Sequence, residues 1–475
     1  MSTHATPCSN FDTPRASDPG PGRVARVGSV FALWNGPLTS APAIPFSGTK
    51  RASLGVVALH LLGVAMVQAV SQAVIVILPM IVRKQFGATE IQTTLITAPP
   101  TIMFVLSIFW NDLFTRVGGV KCFIAFWLLA CLPMTALFFA KGAGAYWWVL
   151  VPHLVACAGG AGWPPLSGSL LKSFYAPDMR GRAYSVVWGG SMIASAVMGY
   201  FLGQALTKNP ESFRTIIPLA CVLQLAGVVL LLVLARFTGH LPDLAPSPEA
   251  AHRPWSFRAA LDPILHMTSV LKADPVFARY EGAYMTYGIG WMVGYALLPL
   301  IATERLGLKY DEYALATQVA YLLALVLSIY PAAVIMDRWG ALRATGLSFF
   351  LLALYPIGLA LAWDKQSLLV VSAVYGVAHS GASVGWMLGP VSLAPTPDRV
   401  PTYVAIHATL VGVRGALFQF LGVGMYLLCA KVLHLPLAVA FGVPLALAGG
   451  AYVWAGWQMS TLRRVMEARK PGSEL

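Results

Sequence analysis

Between Thr215 and Arg236 the chain reads TIIPLACVLQLAGVVLLLVLAR, apolar almost throughout and uncharged until its final arginine. At 1.5 Å per residue a helix of that length measures about 33 Å, enough to cross a hydrocarbon core about 30 Å thick. The stretch does not stand alone. Comparable apolar runs lie at 54–80, 92–113, 120–140, 146–171, 183–206, 282–303, 312–336, 342–363, 367–393, 402–429 and 435–458. Most are too long and too uniformly apolar for the alternating strands of a barrel, so they read as helices. The expectation is an all-α membrane protein with about twelve transmembrane helices.

Composition supports that class. The chain has 475 residues, of which 57% are hydrophobic and 11% charged, and its mean hydropathy is +0.69. A soluble domain carries about 25% charged residues, so a water-facing surface would lack most of its usual charge. The net charge of +13 comes from Lys and Arg scattered in short segments between apolar runs. That pattern reads as membrane orientation, and nothing beyond charge supports a nucleic-acid partner. The six cysteines form no CxxC pair, which argues against a zinc site or a disulfide framework. No cofactor is implied.

Residues 1–53 are rich in Pro, Gly and Ser and read as a disordered cytoplasmic tail, with no basic-then-apolar leader. The longest internal polar stretch, 238–280, holds Pro242, Pro246, Pro248 and Pro254 and then an amphipathic piece from Trp255 to Leu271. Read as a cytoplasmic linker, it divides the spans into six and six. The units are then 54–237 and 281–458, two pseudo-symmetric six-helix bundles, followed by a second cytoplasmic tail, 459–475. With the tails placed inside, that side holds 22 Lys and Arg against 9 on the other. The excess puts both termini in the cytoplasm. Ala, Gly and Leu content suggests a bacterial inner membrane.

The halves echo each other. Thr115-Arg116-Val117-Gly118-Gly119-Val120-Lys121 follows the second span, and Asp337-Arg338-Trp339-Gly340-Ala341-Leu342-Arg343 follows the eighth. Arg180, Tyr184 and Gly203 match Arg399, Tyr403 and Gly422 at one constant offset. Such repeats are the trace of transporter folds built from related halves.

On these residues the chain resembles the major facilitator superfamily. The Asp-Arg-x-Gly element at 337–340 is similar to that family's loop motif, and Arg180-Gly181-Arg182 opening span five is similar to it too. Thr115 stands where the family usually has Asp, and Asn111 and Ala333 where it has Gly. The resemblance covers about 54–458. It implies secondary active or facilitative transport by alternating access, a non-enzymatic role, and a central cavity lined by spans one, four, seven and ten. It also implies a cytoplasmic latch, to which Asp112, Arg116, Asp337, Arg338 and Arg343 would contribute. The other reading of those five is loop charge that sets topology.

Within the implied lining spans, residues at helical spacing mark one face of each: Gln68 and Gln72, His153, Tyr287 and Trp291, Tyr375 and His379. Polar groups are costly against lipid, so these faces should point inward. His60, Cys157, Trp163, Tyr284, Tyr295, Ser383 and Trp386 belong to the same sets, with Tyr284 and Trp386 equally suited to an interfacial belt. Arg414 lies near the middle of span eleven and shares a face with Tyr403 and His407. A buried guanidinium suits a carboxylate or phosphate, giving an anionic or zwitterionic solute. Alternatively it bonds backbone carbonyls across helices made close by Gly412 and Gly415. Neither Glu281 nor Asp112 lies deep by position, which counts against a buried acid carrying a proton. His153, His379 and His407 remain as titratable groups, and a coupling proton or a counter-anion stays open. The expected partners are a small-molecule substrate and the lipid bilayer, with the chain monomeric. A lipid-handling or flippase-type protein on the same fold and a transporter-like sensor are the competing functions. No metal or catalytic motif is present.

Overall fold

The computed structural model describes residues 44–45, 51–52, 54–175, 180–246, 256, 265–395 and 399–468. Eleven described helices are long and apolar enough to cross a membrane, and a bent pair makes the twelfth. They are α1 (Leu54–Phe86), α2 (Glu90–Leu106 with Phe109–Val117), α3 (Gly119–Phe139), α4 (Ala145–Phe174), α5 (Ala183–Lys208) and α6 (Pro210–Phe237). The second half holds α7 (Pro275–Arg305), α8 (Tyr310–Met336), α9 (Leu342–Leu361), α10 (Lys365–Trp386), α11 (Thr402–Val432) and α12 (Leu437–Leu462).

The order matches the spans expected from the sequence, with corrections at the edges. The helix of α1 runs on to Phe86, six residues past the expected end. That of α12 continues to Ala468, into what was read as a tail. Charged termini such as Arg83 and Lys84 do not end a helix; they leave the hydrocarbon while the backbone hydrogen bonds continue. The second span is not straight but bent by 50°. The bend falls between Leu106 and Phe109, directly after the 3-10 segment Met103–Leu106. Most of the amphipathic linker piece and nearly all of the first tail fall outside the described residues. What is described of the tail is an antiparallel pairing of Ile44–Pro45 with Arg51–Ala52.

The internal repeat has a structural counterpart. In one half α1 packs on α5 and α6; in the other, α7 packs on α11 and α12. The halves meet through α5 against α8 and α2 against α11, again an exchangeable pair. The two loop echoes adopt one conformation: Gly118 has φ 84° and ψ 159°, and Gly340 has φ 84° and ψ 150°. That region is open essentially to glycine alone. The glycines of α5 and α11 sit at the seams. Gly203 lies against Ala314 and Tyr310, and Gly412 and Gly415 lie against Ile102 and Thr101.

The two ends of the molecule differ. At the end bearing Arg83 and Tyr310, one apolar core runs through both halves, from Ile77 and Leu78 across to Leu300, Tyr426 and Phe441. Toward the linker end each half keeps its own core, around Phe123, Phe174 and Leu231 in one and around Tyr284, Phe349 and Met459 in the other. Large apolar side chains such as Phe201, Leu219 and Leu327 stay exposed on the outside, as a surface solvated by lipid requires. The protein is an integral membrane protein.

Candidate functional site: a central cavity with one amide wall and one aromatic wall

A cavity of about 420 Å³ lies between the halves, within the range of small-molecule sites. The first half supplies Gln68, Ser71 and Gln72 from α1, Thr97 and Thr101 from α2, and His153, Cys157 and Trp163 from α4. The second half supplies Trp291 and Tyr295 from α7, Tyr313 and Tyr321 from α8, Tyr355 from α9, and Ser372 and Tyr375 from α10. The lining thus draws on more spans than one, four, seven and ten. Among the described residues it contains no Asp, Glu, Lys or Arg.

Gln68 and Gln72 face the cavity one turn apart, and neither side-chain amide has a protein partner among the described residues. The carbonyl of Gln72 accepts from Gln318 Nε2 at 3.2 Å, which ties α1 to α8. Gln224 also lines the cavity, and its Nε2 donates to the Val67 carbonyl and to Ser71 Oγ. His153 Nε2 donates to the Ile96 carbonyl at 2.9 Å, so this lining histidine is anchored to α2.

The aromatic wall is a stacked assembly. Tyr375 lies 4.1 Å from Tyr355 and 5.0 Å from Tyr321, ring centre to ring centre, and 5.1 Å from His379. His379 sits behind the lining. It bonds the Tyr321 hydroxyl through Nδ1 at 2.8 Å and the Tyr287 hydroxyl through Nε2 at 3.1 Å. Of the residues expected to contact solute, Gln68, Gln72, His153, Trp291 and Tyr375 line the cavity, and Tyr287, His379, His407 and Arg414 do not. His60 is elsewhere, bonded to the Tyr175 hydroxyl at 3.0 Å.

Arg414 is the main correction. It is 1% exposed and packed between α7 and α11. Its Nη1 donates to the Tyr284 carbonyl at 2.8 Å, and its guanidinium lies 5.6 Å from the ring centres of both Tyr287 and Trp291. Gly288 makes room, since a Cβ there would collide with the arginine chain. Of the two sequence readings of Arg414, the carbonyl-bonded one describes this geometry. Nε and Nη2 are buried without a partner among the described residues. The anionic solute loses the residue on which that expectation rested.

One acid was misjudged from its position. Glu281 is seven residues into its helix yet 2% exposed, and both its oxygens lie 2.9 Å from His407 Nδ1. His407 Nε2 has no partner among the described residues. Nearby, the Tyr403 hydroxyl donates to Asp274 Oδ2 at 2.8 Å, while Asp274 Oδ1 caps the start of the same helix. The spacing of Tyr403, His407 and Arg414 was the available signal; what they face across the helix gap is a tertiary matter.

The expected latch sits apart from the bonds that join the halves. Asp112 pairs with Arg116 at 2.7 Å within its own helix, Arg338 and Arg343 are exposed, and the Asp337 side chain lies outside the described residues. Cross-half bonds gather at the opposite end. Arg83 bonds Glu304, Lys84 bonds the Leu308 carbonyl, and Lys431 pairs with Glu90 at 3.5 Å. Asp311 accepts from Thr207 at 2.8 Å and from Gln204 at 3.2 Å. In the sequence, Arg83, Lys84 and Lys431 enter only as charges that set orientation.

Comparison with known proteins gives these coordinates a context. A family model described as Major Facilitator Superfamily matches residues 61–419. No curated protein matches the chain. Among solved structures, a peptide transporter POT in complex with sulfate aligns at TM-score 0.67 and 14% identity, over 90% of this chain and 97% of that one. A POT family transporter in complex with 5-aminolevulinic acid aligns at 0.64 and 13%, over 91% and 99%. A bacterial homolog of the human lysosomal transporter Spinster, inward-facing and unoccupied, aligns at 0.56 and 13%, over 86% and 99%.

Proposed function

The chain belongs to the major facilitator superfamily, and from that premise we propose that it moves a small uncharged organic solute through the central cavity by alternating access. The single observation that carries this reading is the lining itself: free amides on one side, tyrosines and a tryptophan on the other, and no ionic side chain among the described residues. A charged solute would leave water for a site without a counter-charge, which is costly. The neighbours solved with sulfate or 5-aminolevulinic acid share the fold at 13–14% identity, and their ligands do not carry over to this chain.

The units 54–237 and 281–458 act as the two rocking bodies, with 238–280 as linker. The bonds of Arg83, Glu304, Glu90, Lys431 and Asp311 form the gate that is shut here, and Asp112, Arg116, Asp337, Arg338 and Arg343 serve the opposite end when the cycle reverses. With both termini in the cytoplasm of a bacterial cell, the shut gate faces outward. The buried Glu281–His407 pair is the place this reading assigns to a coupling proton.

A thermal-shift screen of neutral, anionic and cationic solutes on purified protein, followed by uptake of the hits into proteoliposomes, tests the proposal. Neutral solutes should dominate the hits and be taken up. Stabilisation and uptake restricted to anions, lost in Arg414→Lys, would return the arginine to the substrate site. An imposed pH gradient should drive uptake in the wild type and not in Glu281→Gln.

A further inference from the structure

The two walls also constrain the shape of the solute, an inference that rests on the central cavity being the transport site. The tyrosines of the aromatic wall are stacked on one another, so they offer the cavity mainly edges and hydroxyls. Trp291 is different. It lines the cavity, and around its ring stand the Arg414 guanidinium, 5.6 Å from the ring centre, His379 at 6.0 Å and Tyr287, stacked, at 6.2 Å.

A cation on one face of an indole draws electron density toward itself and weakens the attraction of the other face for a second cation. The quaternary-ammonium cage that an acid-free aromatic wall suggests is therefore disfavoured: Arg414 already occupies that role and would repel a newcomer. A neutral planar ring, offset-stacked, remains a good partner for such a face. An anion would be drawn by the field of Arg414 but would meet a ring face and neutral donors, because the guanidinium donates elsewhere.

Opposite, Gln68 and Gln72 present two free primary amides one helical turn apart on the same face of α1. Each carries an acceptor oxygen and two donor hydrogens. Such a pair reads an edge on which a donor and an acceptor lie side by side. A site built to hydrogen-bond an edge of that kind rejects analogues lacking it, because its own polar groups are then left unpaired.

We propose that the solute is an uncharged planar heteroaromatic compound, stacked on Trp291 and held along its amide-like edge by Gln68 and Gln72. The full-length protein, purified in detergent, is titrated by calorimetry with nicotinamide and uracil as neutral planar probes. Nicotinate serves as the anion of the same shape, 1-methylnicotinamide as the cation, and cyclohexanecarboxamide as the non-aromatic amide. The neutral planar probes should bind at least ten-fold more tightly than the other three. Trp291→Leu should lose ten-fold or more of that affinity and Trp291→Phe only part of it. Gln72→Leu should lose about ten-fold, and Gln68→Leu provides an independent check should one glutamine variant fold poorly. Equal or tighter binding of cyclohexanecarboxamide, nicotinate or 1-methylnicotinamide overturns the proposed class, as does failure of every probe to bind. The reading of the cavity as the transport site is tested separately through Cys157, which lines it. In membrane vesicles its labelling by an impermeant maleimide should be possible from either side. Labelling confined to one side under every condition would overturn that reading, whichever probes bind.

Discussion

The two walls of the cavity have opposite constructions. The aromatic wall is a set of interlocked rings, each held by its neighbours and by His379. The amide wall presents side chains that the protein does not otherwise use, on a helix whose packing against α5 and α6 is complete without them. Two halves with the same backbone plan thus differ, the second fixing a surface and the first presenting amides that have no protein partner among the described residues. The loops repeat the contrast on a smaller scale. Gly118 and Gly340 share one backbone conformation, yet Gly118 is roofed by Leu244 and Pro246 while Gly340 has open space around it.

That contrast can be broken in graded ways. The largest expected effect is Tyr375→Ala, which removes a ring stacked on three others. It should destabilise the protein by about 3–5 kcal/mol, read as a fall in the thermal unfolding midpoint in detergent. Next is Glu281→Ala, which leaves His407 buried with neither nitrogen bonded. A loss of about 1–3 kcal/mol is expected from the same measurement. Gly118→Ala and Gly340→Ala should each cost about 1–3 kcal/mol for the strained backbone. The first should cost more, because its new Cβ would lie 2.9 Å from the Leu244 carbonyl oxygen. Equal losses would mean that the linker does not rest on this turn. Arg83→Ala removes a cross-half bond from the shut gate. It should shift the conformational balance about ten-fold, roughly 1.4 kcal/mol, toward opening at that end, seen as longer spin-label distances across α1 and α7. The smallest stability effect belongs to the amide wall: Gln72→Leu should change unfolding by no more than about 0.5 kcal/mol while raising the KM for uptake about ten-fold. Were that variant as unstable as Tyr375→Ala, the division between the walls would fail.

Much of the site was readable in advance because helical spacing carries over directly into three dimensions. Gln68 and Gln72 fall on one face whatever surrounds them, and that face had to turn from lipid. Trp291, Tyr375 and His153 follow by the same rule. The method failed where a residue's meaning depends on a partner far along the chain. His379 shares a face with Tyr375 yet lies behind it, its two nitrogens taken by tyrosines of α7 and α8. Glu281 was judged shallow from its place near a helix start, but α11 covers it. The gate residues Arg83 and Glu304 are more than two hundred positions apart, and nothing local pairs them.

What the sequence determined by itself was the solvent and the count: long uncharged runs must lie in hydrocarbon as helices, since only there are their backbone groups satisfied, and the repeated loop imposed two matching halves. What only the tertiary structure decided was which polar residues face the cavity and which face one another. A guanidinium in mid-span must find partners, and whether it meets a solute or a carbonyl depends on how closely the next helix approaches. Here Gly288 allows that approach, Arg414 bonds Tyr284, and the cavity is left without an ionic group among the described residues.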